Sequence, residues 1–252
     1  MASQSPMNCR FPRPDATHRL ICFPWAGGGS NFYAAWGKDL APNIEVHGIT
    51  LRGRESRFRE ELCTSPQETL TEIASTIANE LGDKPFIFFG HSLGSLLSYE
   101  TAVLLRKKYS RQPEHMYLSG GSAPHSDNRR KKTTDPADVT DEEFLKHLKK
   151  LGGMPPEILA NQEVLSLFLP ALKADFTIAT RIQYDPSNVP PLLPCDFTFF
   201  DGVDDDDHDY PKWKELTEGS FTLHRLPGDH FYLKDTDNQK KMLTCIQGDF
   251  PS

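Results

Sequence analysis

The stretch Phe86-Ile87-Phe88-Phe89-Gly90-His91-Ser92-Leu93-Gly94-Ser95 decides how the rest of this 252-residue sequence is read. Its first four residues are apolar and mostly aromatic, which reads as a short buried strand. Residues 95–107 carry a helical pattern, so Gly90-His91-Ser92-Leu93-Gly94 falls on a strand-to-helix turn. With glycine and serine each near ~7% of residues, G-x-S-x-G arises by chance in roughly one chain in ten of this length. The flanking strand and helix therefore carry the argument. They make the motif a nucleophile elbow: a serine on a strained turn, with glycines where a Cβ would block the passing backbone.

Outward from this turn, apolar runs at 20–23, 46–51, 116–118, 197–200 and 221–226 alternate with helical patterns. That alternation predicts an α/β fold, a mostly parallel central sheet flanked by helices. Between the second run and the elbow, Leu70, Ile73, Ala74, Ile77, Ala78 and Leu81 recur at helical spacing. Ser65, Pro66 and Glu68 supply an N-cap, a first-turn proline and a capping-box acid for that helix. The alternation stops near Ser126 and resumes near Cys195. Residues 1–125 and 195–252 are thus expected to form the core, and 126–194 a helical lid subdomain over the strand ends. Within the insertion a polar linker spans 126–138. A capping box at Thr140 and Glu143 then opens a helix that Gly152-Gly153 ends, and 165–182 is expected to be helical with an interruption or kink near Pro170. Its apolar residues, Leu165, Leu167, Phe168, Leu169, Leu172, Phe176 and Ile178, need burial, which favours a lid packed on the site.

Composition narrows the class. Hydrophobic residues make up 37% and charged ones 25%, as in a folded globular domain. A net charge of −7 argues against a nucleic-acid partner. No apolar stretch is long enough for stable membrane insertion, and the polar start of the chain does not resemble a secretory signal. Five cysteines with no C-x-x-C pair fit a reduced, cytoplasmic setting better than a disulfide framework. The basic runs 52–59 and 129–132 read first as solvated loops and second as a face for an acidic protein.

A serine hydroxyl needs a base, and the base an orienting acid; in this fold they follow in the order Ser, Asp or Glu, His. Of nine histidines, His230 hangs in Pro227-Gly228-Asp229-His230-Phe231 after the last apolar run, where a base must lie. His91 adjoins the serine, but the elbow is expected to direct it elsewhere. The acid should follow the run 197–200, where Asp204, Asp205 and Asp206 are equal candidates. Calcium-loop spacing is absent there, and the expected chemistry calls for no metal or cofactor. For an oxyanion, the Leu93 amide follows the nucleophile, and a second donor should come from Phe23-Pro24-Trp25-Ala26-Gly27-Gly28-Gly29-Ser30. Phosphate-loop spacings are missing from that glycine run.

Together these residues resemble the type II thioesterases, the free-standing enzymes that serve fatty acid, polyketide and peptide synthases. The resemblance covers nearly the whole chain and is densest at 21–30, Gly90–Gly94 with Ser95, Ser122-Ala123-Pro124-His125-Ser126 and 226–233. Phe-Pro-Trp-Ala-Gly-Gly-Gly and Pro-Gly-Asp-His-Phe-Tyr-Leu are most similar to the animal branch, the medium-chain S-acyl fatty acid synthase thioesterases. The resemblance implies an α/β-hydrolase core with a mobile helical lid and a cytosolic location, and a monomer is expected. It also implies hydrolysis of a medium-chain acyl thioester on the acyl carrier protein of a fatty acid synthase. The family's acid lies three residues after a loop glycine and eight before a tryptophan, which selects Asp205 between Gly202 and Trp213. Its second oxyanion donor falls on Ala26. The extra aspartates around Asp205, and Asp229 where many members have glycine, depart from the pattern. A synthase-editing thioesterase, a carboxylester hydrolase and a non-catalytic binding protein are the competing expectations.

Overall fold

Side chains that alternate along buried strands build two cores, one on each face of a single sheet. The computed structural model describes residues 4–132, 135–151, 162–184 and 192–251. Its strands are β1 (Met7–Asn8), β2 (His18–Phe23), β3 (Ile44–Ile49), β4 (Phe86–His91), β5 (His115–Ser119), β6 (Asp196–Gly202) and β7 (Phe221–Leu226). They pair in the order β1-β3-β2-β4-β5-β6-β7. Only β1 runs antiparallel to its neighbour. This is the mostly parallel α/β sheet that the sequence pattern predicts, and it matches the α/β-hydrolase core that the resemblance implies. The six predicted runs are β2 to β7, and the two-residue edge strand β1 is additional.

Ile21, Phe23, Phe86, Phe88, Met116, Leu118, Phe197 and Phe199 face one core. Helices α2 (Pro66–Leu81) and α3 (Leu93–Tyr109) cover it through Leu70, Ile73, Ile77, Leu97 and Ala102. The intervening residues Leu20, Cys22, Ile87, Phe89 and Tyr117 face the other core, under α1 (Ser30–Ala34) and the C-terminal helix. Burying each such large apolar side chain stabilises the fold by about 1.5–3 kcal/mol. The α2 N-cap forms from Ser65 Oγ to the Glu68 amide at 3.3 Å. The Glu68 carboxylate instead accepts from Arg52 at 2.6 Å, so only half of the expected capping box is present.

Between β5 and β6 the described chain forms α4 (Asp127–Lys132), a 3₁₀ turn (Pro136–Asp138), α5 (Asp141–Leu151) and α6 (Gln162–Arg181). The expected linker is therefore largely helical. The buried Arg129 guanidinium donates to the Ala179 and Ile182 carbonyls and so anchors α4 to the end of α6. At α5 the capping box is complete: Thr140 N–H reaches Glu143 at 2.9 Å, and Glu143 N–H reaches Thr140 Oγ1 at 3.3 Å. Gly152 and Gly153 lie outside the described residues. α6 runs through Pro170 as one helix rather than breaking there. Phe144, Leu148 and Leu172 form a small core joining α5 to α6. Two helices follow, α7 (Pro211–Lys214) and α8 (Thr236–Asp249). Among the described residues no helix is long and apolar enough to cross a membrane.

The basic run 52–59 is not a solvated loop. Arg57 is fully buried and bonds Glu60 and Glu72, and Arg54 is paired with Asp175. Glu60 is a local partner of Arg57, but Glu72 and Asp175 come from later helices, and charge pattern along the chain gave no sign of those two.

Candidate active site

β4 delivers the chain to Ser92, whose φ of 56° and ψ of −116° place it in backbone space that non-glycine residues avoid. Close packing enforces the turn. A Cβ on Gly90 would stand 2.1 Å from the Gly94 carbonyl oxygen, and one on Gly94 2.2 Å from the Phe23 carbonyl oxygen. The Ser92 amide donates to the Ser119 carbonyl at 2.8 Å. The fully buried Ser95 hydroxyl sits against the Gly90 and Ser119 carbonyls at 2.8 and 2.9 Å, pinning the turn to β5.

The loop after β7 carries His230 and the loop after β6 carries Asp205. Nε2 of His230 lies 3.0 Å from Ser92 Oγ, and Nδ1 lies 2.8 Å from Asp205 Oδ2. Beside an ionised carboxylate the imidazole proton belongs on Nδ1, leaving Nε2 to accept the hydroxyl proton. Burial by itself pushes the Asp205 carboxyl up. The His230 hydrogen bond and the positive fields of His230 and His208 outweigh it and hold the pKa below the usual range. Asp204 and Asp206 are exposed, and the Asp206 amide donates to Asp205 Oδ1 at 2.7 Å. Among the three candidates it is thus Asp205 that reaches the histidine.

Two further histidines surround this relay. His91, as expected, is directed elsewhere than to Ser92 Oγ. Its ring centroid is 5.0 Å from that of His230, and its Nδ1 bonds Ser119 Oγ at 2.8 Å. Burial, then the charges of His230 and His208, push its pKa well below the usual value, so it adds no second cation there. His208, which sequence reasoning overlooked, stands 3.7 Å from Asp205 Oδ2 and bonds the buried Asp201 at 2.9 Å. Its only signal in the sequence was its place at the end of the acidic run. The ligand atoms of Asp205, His208 and His230 lie within 4.8 Å of one another. The Nδ1 of both imidazoles is already engaged by a carboxylate, the pattern of a hydrogen-bond relay.

Of the two oxyanion candidates, one lies in the serine turn itself and one in the loop after β2. Leu93 opens α3, so its amide is one of the first-turn N–H groups that no helix carbonyl can accept. Ala26 lies in the turn closed by the Gly28 amide on the Trp25 carbonyl at 2.8 Å. The contact of Gly94 with the carbonyls of Phe23 and Pro24 brings that loop against the elbow. The assembly of hydroxyl, imidazole and carboxylate beside the Leu93 and Ala26 amides is suited to acyl transfer through a covalent ester.

Comparison with known proteins bears on the family. The S-acyl fatty acid synthase thioesterase, medium chain, of Rattus norvegicus is 43% identical over 234 residues, covering 92% of this chain and 88% of its own. The gramicidin S biosynthesis protein GrsT of Aneurinibacillus migulanus is 35% identical, covering 91% and 88%. Among solved structures, the type II thioesterase BorB from the borrelidin biosynthetic cluster superposes with a TM-score of 0.83 at 27% identity, covering 98% of both chains. The thioesterase domain model matches residues 18–249, and on that match the chain belongs to the thioesterase family.

Proposed function

We propose that this protein hydrolyses the thioester between a fatty acyl chain, of medium length, and the phosphopantetheine arm of a fatty acid synthase acyl carrier protein. The observation that carries the reading is the unbroken relay from Ser92 through His230 to Asp205 on a strained elbow. Its fatty-acid side is supported by the 43% identity to the rat fatty acid synthase thioesterase.

In the proposed reaction His230 Nε2 takes the Ser92 proton as Oγ attacks the thioester carbonyl, while Asp205 holds the imidazole and balances its charge. The amides of Ala26 and Leu93 receive the oxyanion. The C–S bond breaks, the thiolate takes the proton from His230, and an acyl-serine ester remains. Water then attacks that ester, with His230 again accepting the proton and returning it to Ser92 Oγ. Residues 1–125 and 195–252 act as the catalytic core and 126–194 as the lid that clothes the acyl chain. Each methylene buried there adds about 0.8 kcal/mol of binding. The enzyme is expected to work as a cytoplasmic monomer.

A second reading, editing on a peptide or polyketide synthase, draws on the 35% identity to GrsT and the match to BorB. Turnover of acyl chains from acetyl to palmitoyl, on carrier domains of both synthase types, separates the two. Preference for long or medium chains on the fatty acid synthase carrier supports the first reading. Preference for acetyl groups on peptide-synthase carriers replaces it with the second. No thiol release from any thioester sinks both.

A further inference from the structure

Three glycines in a row, Gly27-Gly28-Gly29, give the loop carrying Ala26 almost no shape of its own, so its form must be imposed from outside. At its far end the Glu55 carboxylate does this, accepting the Ser30 amide at 2.9 Å and the Asn31 amide at 3.1 Å. At its near end the work falls to a residue 148 positions away. Asp175, on α6 and 1% exposed, accepts the Gly27 amide on Oδ2 at 2.7 Å. The same carboxylate takes both terminal nitrogens of Arg54 at 2.6 Å each, and Arg54 also donates to the Gly28 carbonyl at 3.2 Å. One turn earlier on α6, Leu172 packs so closely that a Cβ on Gly27 would stand 2.4 Å from its Cδ2. Gly27 itself has a φ of +77°, a conformation its own sterics do not select.

The Gly27 N–H belongs to the peptide plane that directly follows Ala26. Once that plane is fixed, only the φ and ψ of Ala26 remain to set where the Ala26 N–H points. We propose that Asp175 is a positioning residue for the oxyanion site: by gripping the Gly27 amide it aims the Ala26 N–H at the tetrahedral intermediate. α6 is then part of the oxyanion machinery as well as cover over it. The inference rests on the thioesterase reading and on Ala26 as an oxyanion donor. A carboxylate suits the task because it can hold an amide and a guanidinium fork at once, and the charge-assisted bonds are short and directional.

Two double variants separate positioning from mere ion-pair stability. R54M/D175N removes the ion pair but leaves an amide oxygen to accept the Gly27 N–H. R54M/D175L removes the pair and the acceptor together; R54M/D175A takes its place if the leucine variant does not fold. The readouts are kcat and KM on a decanoyl thioester, and the Kd of an alkyl trifluoromethyl ketone, which forms a hemiketal oxyanion with a nucleophilic serine. Loss of one oxyanion donor costs about 10²–10³ in kcat, and a misaimed donor loses part of that. R54M/D175L is expected to lose at least about tenfold in kcat, with KM within about threefold and ketone affinity falling in parallel. R54M/D175N should keep at least about ten times the kcat of R54M/D175L. Equal losses in the two variants, or a loss confined to KM with ketone affinity unchanged, would overturn the proposal. If wild type neither cleaves thioesters nor binds the ketone, the thioesterase reading falls and this inference with it. If wild type does both and R54M/D175L matches it, only the role of Asp175 falls.

Discussion

His230 Nε2 stands 3.0 Å from Ser92 Oγ across 138 residues of sequence. The two meet because parallel β4 and β7 end at the same rim of the sheet, with β5 and β6 between them. A relay assembled this way depends on each member separately.

Replacing Ser92 by alanine removes the proposed nucleophile, and kcat for a decanoyl thioester is expected to fall by about 10⁴–10⁶. Asp205→Asn should cost about 10⁴-fold by offering His230 the wrong tautomer. Asp204→Asn and Asp206→Asn, both on exposed side chains, should stay within about twofold of wild type, as surface changes usually do. Thiol release followed by absorbance measures all four. Comparable losses at Asp204 and Asp205 would refute the assignment.

The elbow stores backbone strain at Ser92, where φ is 56°. Ser92→Gly removes the Cβ that makes this conformation costly, so the inactive variant should be more stable than wild type by about 1 kcal/mol. Urea unfolding of wild type, Ser92→Ala and Ser92→Gly checks this. The glycine variant should have the highest midpoint, and a lower one than alanine would contradict the strain.

Burial pushes the Glu100 pKa from 4.5 to about 7, against the pull of Arg129 and Lys107. The folded protein keeps this proton over a range where the unfolded chain releases it. Stability from this group is therefore complete below pH 4.5 and is lost as pH rises toward 7. Relative to Glu100→Gln, wild type should lose about 3 kcal/mol over that window. Parallel stability curves for the two proteins would show that Glu100 is not the titrating group.

Arg57 has no exposed side-chain surface and bonds Glu60, Glu72 and the Thr50 carbonyl. Arg57→Ala strands the acids that it neutralises and should cost about 3–5 kcal/mol. Arg52, 27% exposed, pairs with Glu68 and Glu72 in a more solvated setting, and Arg52→Ala should cost no more than about 1 kcal/mol. Equal melting-point losses would mean that burial does not set the value of these pairs.

Local pattern made the strands legible. Phe86, Phe88, Met116 and Phe197 belong to runs so apolar that no other element fits them, whereas Met7 and Asn8 pair with β3 without any period of their own. Spacing likewise exposed Ser92 and His230, because a turn between strand and helix and a loop after the last strand are local events. Asp205 was one of several equal aspartates until family spacing selected it. What physically distinguishes it, a carboxylate turned inward to His230, is tertiary. The same blindness hid Asp175 and the burial of Arg54, whose partners are remote in the chain, while His208 and Arg57 have near neighbours as partners but are buried only by the folding of distant segments around them. Charge along a sequence says nothing about a counter-ion supplied from elsewhere.

The helical excursion leaves the sheet after β5 and re-enters at β6, two strands that lie side by side. Hinged on neighbouring rungs, such a segment is expected to be exchangeable between homologues without shifting the register of any other strand, and under the proposed function it is the cassette through which acyl selectivity would be altered. The cassette has one fixed connector. A donor segment without an acid where Asp175 stands would leave Arg54 and the Gly27 amide unsatisfied at the very seam of the graft. Chimeras chosen for their groove alone would then fail at that seam, and restoring a single carboxylate should revive them.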